Sequence, residues 1–183
     1  MIFNRHSELI GKHAFLSPSS HSWLNYTDQK LEARYYTVMA ARRGTDIHAL
    51  AHEAIRLGIK LAKSNHALST YVNDAIGYKM ISEQTLFYSE NCFGTADTIC
   101  FRRNKLRIHD LKTGVTPASE RQLEIYAALF CLEYEISPFD IEIELRLYLR
   151  EEIKIFTPDP EHIHEIMLKI VDFDEQVEVI KGS

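Results

Sequence analysis

Residues 94–112 read GTADTICF, RRNK and LRIHDLK in succession, two apolar-rich runs joined by four polar residues. From Leu106 to Lys112 the side chains alternate in the manner of a strand. Ile108, Asp110 and Lys112 therefore share one face, and Arg107, His109 and Leu111 share the other. Thr95 to Phe101 also has strand character, with Thr95, Asp97 and Ile99 expected on one face. The link Arg102-Arg103-Asn104-Lys105 suits a hairpin turn. A symmetric turn sets Phe101 opposite Leu106, and Asp97 then falls directly across from Asp110.

Opposed side chains in such a pair have Cβ atoms roughly 4.5–5.5 Å apart. Two ionised carboxylates at that separation oppose folding unless a cation lies between them or one stays protonated. Mg²⁺ and Mn²⁺ suit such a place, because hard divalent cations take carboxylate oxygens and leave positions for water and phosphate. Lys112, two residues beyond Asp110 on the same face, can reach the same phosphate or an attacking water. The set fits metal-dependent phosphodiester hydrolysis, in which the cation activates water and offsets charge on phosphorus. An Asp-x-Lys on a strand is common by itself; the opposed Asp97 makes it a candidate site.

Working outward, a strand is predicted near 83–89. On the N-terminal side, Ser17-Pro18 is a helix start, leading into a helix with Trp23 and Leu24. A second helix is predicted from near Leu31 to Ala41. Ile47, Leu50, Ala51, Ala54, Ile55, Gly58, Leu61 and Ala62 recur at helical spacing and predict a helix over 45–63. Ser69 is the expected cap of another, with Val72, Ala75, Ile76, Lys79 and Met80 along one side. On the C-terminal side, Thr116-Pro117 opens a helix through Leu132. Ile141, Ile143, Leu145, Leu147 and Leu149 then alternate with polar or aromatic residues as a strand, and Glu152–Phe156 is its expected partner. After Pro158 and Pro160, a final helix uses Ile163, Ile166, Met167, Ile170 and Val171.

With these residues in order, the chain resembles the PD-(D/E)xK nuclease superfamily, most closely its RecB-like branch. That pattern is Gly-x-x-x-His, Gly-x-x-Asp, Asp-x-Lys-Thr-Gly and Gln-x-x-x-Tyr. It is matched by Gly44–His48, Gly94–Asp97, Asp110–Gly114 and Gln122–Tyr126. The serine-rich Leu16–Ser20 also looks like the opening of such domains. The resemblance implies an α/β fold with the restriction-endonuclease-like αβββαβ core, a mixed central sheet flanked by helices. It implies one nuclease domain over 1–183, with an N-terminal helical segment at about 17–81 and a C-terminal helix. His48, Asp97 and Asp110 would be metal ligands, joined by the Leu111 carbonyl, with Mg²⁺ or Mn²⁺ as cofactor. Lys112 would position or activate the water, and Gln122 and Tyr126 would line the site and hold Lys112 or the DNA backbone. Glu83 is set aside as a weaker match to an acidic position in some relatives. Some relatives carry a four-cysteine iron–sulfur cluster; Cys92, Cys100 and Cys131 are too few and too scattered for one.

At 183 residues, with 45% hydrophobic and 26% charged residues, the composition is that of an ordinary globular domain. No apolar run reaches membrane-spanning length and no signal-peptide pattern opens the sequence, so a cytoplasmic protein without a membrane role is expected. The net charge of −5 is unfavourable for a nucleic-acid binder, an objection weakened if several acids are ligands. Basic residues cluster at Arg42-Arg43, around the hairpin turn at Arg102, Arg103, Lys105 and Arg107, and at Arg121, and most of them are expected to be solvated surface. His48 and His52 lie four apart but lack the internal glutamate of His-Glu-x-x-His, which argues against a zinc protease. Tyr35-Tyr36, Phe87-Tyr88 and Trp23 could stack bases, yet aromatics at such spacing are more often core, and none is assigned to DNA. The expectation is a metal-dependent DNA nuclease, an exonuclease before an endonuclease, acting on single strands or duplex ends. Its alternatives are a catalytically silent DNA-binding or assembly subunit and a structure-specific endonuclease. A recombination or replication partner protein and an oligomer stay open.

Overall fold

The computed structural model describes residues 14–64, 66–114, 119–150 and 152–182. The chain divides into two compact units, Met1–Thr45 and Asp46–Ser183.

In the first unit the Ser17-Pro18 start leads into a 3₁₀ helix, Pro18–Asn25, rather than an α-helix. The Trp23 indole donates to the Ser17 carbonyl at 2.9 Å. Helix α1 (Asp28–Leu57) begins in this unit, where Phe15 meets Tyr35 edge-on at 5.5 Å. The sequence predicted two helices here, and there is one. A lone glycine such as Gly44 costs a helix interior only about 1 kcal/mol. The helix also stops six residues before the expected end at 63. Gly58 has φ 68, and the amides of Gly58 and Ile59 return to the carbonyls of Ile55 (3.1 Å) and Ala54 (2.9 Å). A left-handed glycine with both bonds is a helix terminator that periodicity does not see.

In the second unit, α2 (Ala67–Tyr78) has His66, not Ser69, at its N-cap position; the Ser69 hydroxyl is 2.7 Å from that of Ser64. Lys79, expected on the apolar side, is instead the left-handed C-cap, φ 56. Strands β1 (Ile81–Ser89), β2 (Cys92–Arg102), β3 (Lys105–Leu111), β4 (Glu142–Tyr148) and β5 (Ile153–Phe156) form one sheet in that order. All neighbours are antiparallel except β3 and β4. A parallel step requires a crossover long enough to return the chain, and α3 (Arg121–Glu133) lies in it. The predicted helix start at Thr116-Pro117 lies outside the described residues. Helix α4 (Pro160–Lys181) opens as its sequence dictates, with Asp159 Oδ1 accepting from the Glu161 amide at 3.0 Å and proline in the first turn.

Two cores cover the sheet. The larger joins Leu86, Ala96, Leu106, Ile108, Ile143, Leu145 and Leu147 to Leu123, Ala127 and Ala128 of α3 and Ile163 of α4. The smaller joins Cys100, Leu111 and Tyr148 to Ala51, Ala54 and Ile55 of α1 and Tyr71, Val72 and Ala75 of α2. Each buried Leu or Ile contributes about 1.5–3 kcal/mol, so residues on both faces of β3 are fixed by packing. The result is a mixed α/β unit, a five-stranded mixed sheet flanked by helices. Among the described residues no helix is long and apolar enough to cross a membrane. Cys92, Cys100 and Cys131 are free thiols, the last two buried.

The hairpin has the symmetric register: Phe101 pairs with Leu106, and Thr98 with His109. Its turn residues Arg103 and Asn104 have φ 52 and 60, the left-handed pair of a two-residue turn matching the strand twist. One expectation fails. Ala96 and Ile99, of opposite parity in β2, both join the larger core, while Thr95 is exposed. Thr95, Asp97 and Ile99 therefore do not form one uniform face. Alternation breaks at Asp97, beside Glu83 of β1, whose φ is 55.

Candidate active site

The paired register of β2 and β3 ends at Thr98–His109, one residue before Asp97 and Asp110, and the Asp110 charge acts on the Asp97 carboxyl. The Asp97 carboxylate reaches the neighbouring strand, and its Oδ2 accepts from the Leu111 amide at 3.0 Å. His48 of α1 approaches the same oxygen, with Nδ1 at 3.4 Å. The Leu111 group seen at the acids is thus its backbone amide, a contact the sequence did not imply.

Asp110 is 4% exposed. Lys112 Nζ donates to its Oδ1 at 3.1 Å. The same ammonium lies 3.0 Å from Oδ2 without hydrogen-bond geometry, so Oδ2 is buried with no hydrogen-bond partner. Burial and the Asp110 charge push the Asp97 carboxyl up to about 6; the Leu111 amide and His48 oppose the rise, and Glu83 adds to it. Carboxylates held this close without full hydrogen bonding are costly unless a cation joins them.

Lys112 is held from both sides. Its backbone amide donates to the Tyr148 carbonyl at 3.0 Å, and its Nζ donates to Gln122 Oε1 at 2.9 Å. Gln122 Nε2 reaches the Tyr126 hydroxyl at 3.4 Å, and that hydroxyl donates to the Thr95 carbonyl at 2.7 Å. Gln122 and Tyr126, one turn apart on α3, tie β3 back to β2. Gln122 is thus in direct contact with Lys112, and Tyr126 reaches it only through Gln122.

Among the described residues no three His, Cys, Asp or Glu side chains converge closely enough to enclose a metal ion. The donors nevertheless suit a hard divalent cation. The two acids supply oxygen donors, one carboxylate oxygen is buried with no hydrogen-bond partner, and the other carboxyl is raised by burial and by the Asp110 charge.

The residue most nearly missed from the sequence is Glu83. Ser82–Thr98 and Gln84–Ala96 flank it in register, so it sits next to Asp97. A left-handed glutamate is uncommon and costs on the order of 1 kcal/mol, and only the backbone reveals it. The basic cluster at the turn is also corrected in part. Lys105 and Arg107 pair with Glu144 at 3.0 and 3.2 Å, and Arg107 lies over the Tyr78 ring at 4.6 Å. These two charges are committed to the α2 face of the sheet. His52 is an interface residue, its Nδ1 2.9 Å from the Ser82 hydroxyl.

A scan against family models, and searches of curated proteins and of solved structures, find no match to this chain.

Proposed function

We propose that this chain is a Mg²⁺- or Mn²⁺-dependent DNA nuclease of the PD-(D/E)xK type, RecB-like, acting from strand ends. The observation that carries the reading is the buried, unbonded Asp110 Oδ2 next to Asp97, with Lys112 Nζ 3.0 Å away. The succession β1, β2, β3, α3, β4, with the acids on β2 and β3, is compatible with an αβββαβ core and supports the same reading.

Asp97 and Asp110 would hold the cation, with His48 Nδ1 and the Leu111 carbonyl as further donors. When bound, the cation supplies a water of lowered pKa and offsets charge on the phosphate. The chain's own residues do the rest. The Leu111 amide fixes the orientation of the Asp97 carboxylate. Lys112, drawn to Asp110 here, turns to a non-bridging phosphate oxygen or to the attacking water once Asp110 is otherwise neutralised. Gln122 limits the swing of that ammonium, and Tyr126 anchors Gln122 to the β2 backbone. Positioning of this kind, rather than covalent chemistry, is what phosphoryl transfer requires of a protein.

The test is digestion of end-labelled single- and double-stranded DNA with Mg²⁺ or Mn²⁺, beside Asp97→Ala and Lys112→Ala. Loss of cleavage in both variants is expected, with a drop of at least 10²-fold for Lys112→Ala. Equal digestion by all three proteins would remove the enzymatic reading.

A further inference from the structure

We propose that the Phe87–Phe93 pair is a stacking platform for unpaired nucleobases, presenting a single strand to the Asp97–Asp110 site; the proposal rests on the nuclease reading above. Phe87 of β1 and Phe93 of β2 are direct partners in register. Their rings stack at 6.4 Å between centroids and 29° between planes. They are 47% and 61% exposed, whereas Tyr148 of β4 is fully enclosed.

Three features give this pair an occupant. First, it belongs to a graded row of cross-strand positions. Next along the strands come Thr85 and Thr95, exposed and joined through their hydroxyls at 3.1 Å, and beyond them Glu83 and Asp97. Bases, a sugar–phosphate backbone and a scissile phosphate would meet aromatic rings, hydroxyls and acids in that order. The four strand steps from Phe93 to Asp97 span roughly 13 Å, a reach of a few nucleotides. Second, the row faces away from α3. Gly94, Leu86 and Ala96 take the α3 side, through Tyr126 and the larger core, and α2 packs on β3 and β4. Third, β1 is an edge strand, yet Glu133 Oε2 accepts from the Phe87 amide at 2.9 Å. That backbone donor at the platform is therefore already taken, and the ring faces are the surface left for flat π systems.

The experiment uses the full chain and a fluorescein-labelled oligothymidylate, with binding read by anisotropy in EDTA so that no turnover occurs. Phe87→Ser and Phe93→Ser should each weaken single-strand binding roughly tenfold or more. Phe93→Trp should restore or exceed native affinity, and a duplex of equal length should be little affected. Native single-strand affinity in the double serine variant would overturn the platform. So would equal losses on single strand and duplex, or a native dimer that the double variant dissolves in sedimentation, which would make the pair a contact between copies. The nuclease reading is judged separately by hydrolysis with Mg²⁺ or Mn²⁺. A chain that binds through these rings but never cleaves loses that reading and keeps the platform.

Discussion

Tyr126 lies directly over Gly94: a Cβ built on residue 94 would stand 2.9 Å from Tyr126 Cε1, while the Tyr126 hydroxyl bonds the next carbonyl, that of Thr95. The glycine is needed for close approach, since its φ is not in the left-handed region. Gly94→Ala must push the ring aside, which a side chain on one helix face can do at little cost in stability. The displaced ring releases Gln122 and, through it, Lys112. Gly94→Ala should therefore keep its melting temperature within a few degrees while DNA hydrolysis falls about 10²-fold, the scale of a misplaced catalytic group. Tyr126→Phe, which keeps the ring and loses only its bond, should fall less. A Gly94→Ala protein with full activity would separate this contact from the chemistry.

The Asp97–Asp110 pair should cost stability whenever no cation is present. Asp97 has a folded pKa pushed up to about 6 from 3.8, so between those values the native state binds more protons than the unfolded state. Stability then falls as pH rises through that window and stays low above it. Asp97→Asn, still able to accept from the Leu111 amide, should be more stable than the native protein in EDTA at pH 7, on the order of 2 kcal/mol. The gain should vanish near pH 4. Urea unfolding at the two pH values checks this, and Mn²⁺ should stabilise the native protein alone. An Asn variant less stable at pH 7 would mean that the carboxylate's bonds outweigh its repulsion.

How far the sequence carries depends on what fixed each element. The β2–β3 register followed from two alternating runs and a four-residue polar link, and with it came the meeting of Asp97 and Asp110. Helical spacing put Gln122 and Tyr126 on one face, but the contact of Gln122 with Lys112 was implied only by the resemblance and not by periodicity. The end of α1 at Leu57 did not, because it is set by one left-handed glycine within an unbroken apolar period. Nor did the face change at Asp97, since a break in alternation leaves no mark in residue type, and Glu83, a match set aside at first, has a left-handed backbone that leaves none either. Arg107 and Lys105 were legible as charged but not as paired, because Glu144 reaches them across a parallel register set by a distant crossover.

His109 lies on β3 next to Asp110 and is fully enclosed. Its Nδ1 is 3.2 Å from the Tyr148 hydroxyl, and its Nε2 has no partner. Burial, with Arg146 adding to it, lowers its pKa from 6.5 to about 3. The unfolded chain therefore takes up a proton near 6.5 that the native state refuses until about 3, so stability present above 6.5 is lost progressively as pH falls to about 3. His109→Phe removes this linkage and keeps a ring against Tyr78 and Tyr148. Its unfolding free energy should decline less steeply between pH 6.5 and 4, by up to one proton's worth, about 1.4 kcal/mol per pH unit. Parallel acid limbs for the two proteins would show that His109 is already charged in the native state.

Arg103 occupies the first left-handed position of the β2–β3 turn, φ 52, where arginine has no local hydrogen bond to offset the strain and asparagine or glycine is favoured. Asn104, the second, is already suited. Its side chain donates to the Asp140 carbonyl, and its own carbonyl accepts from the Glu142 amide at 3.0 Å, joining the turn to the start of β4. Arg103→Asn should thus stabilise the unit by up to about 1 kcal/mol without touching the site at Asp97 and Asp110, well along each strand from the turn. Asn104→Ala should cost about 1–2 kcal/mol, since it adds left-handed strain and strips the bond to Asp140. Urea midpoints moving in these opposite directions, with cleavage unchanged in Arg103→Asn, are the expected result. A destabilised Arg103→Asn would mean that the arginine makes a compensating contact and that the register is held from elsewhere.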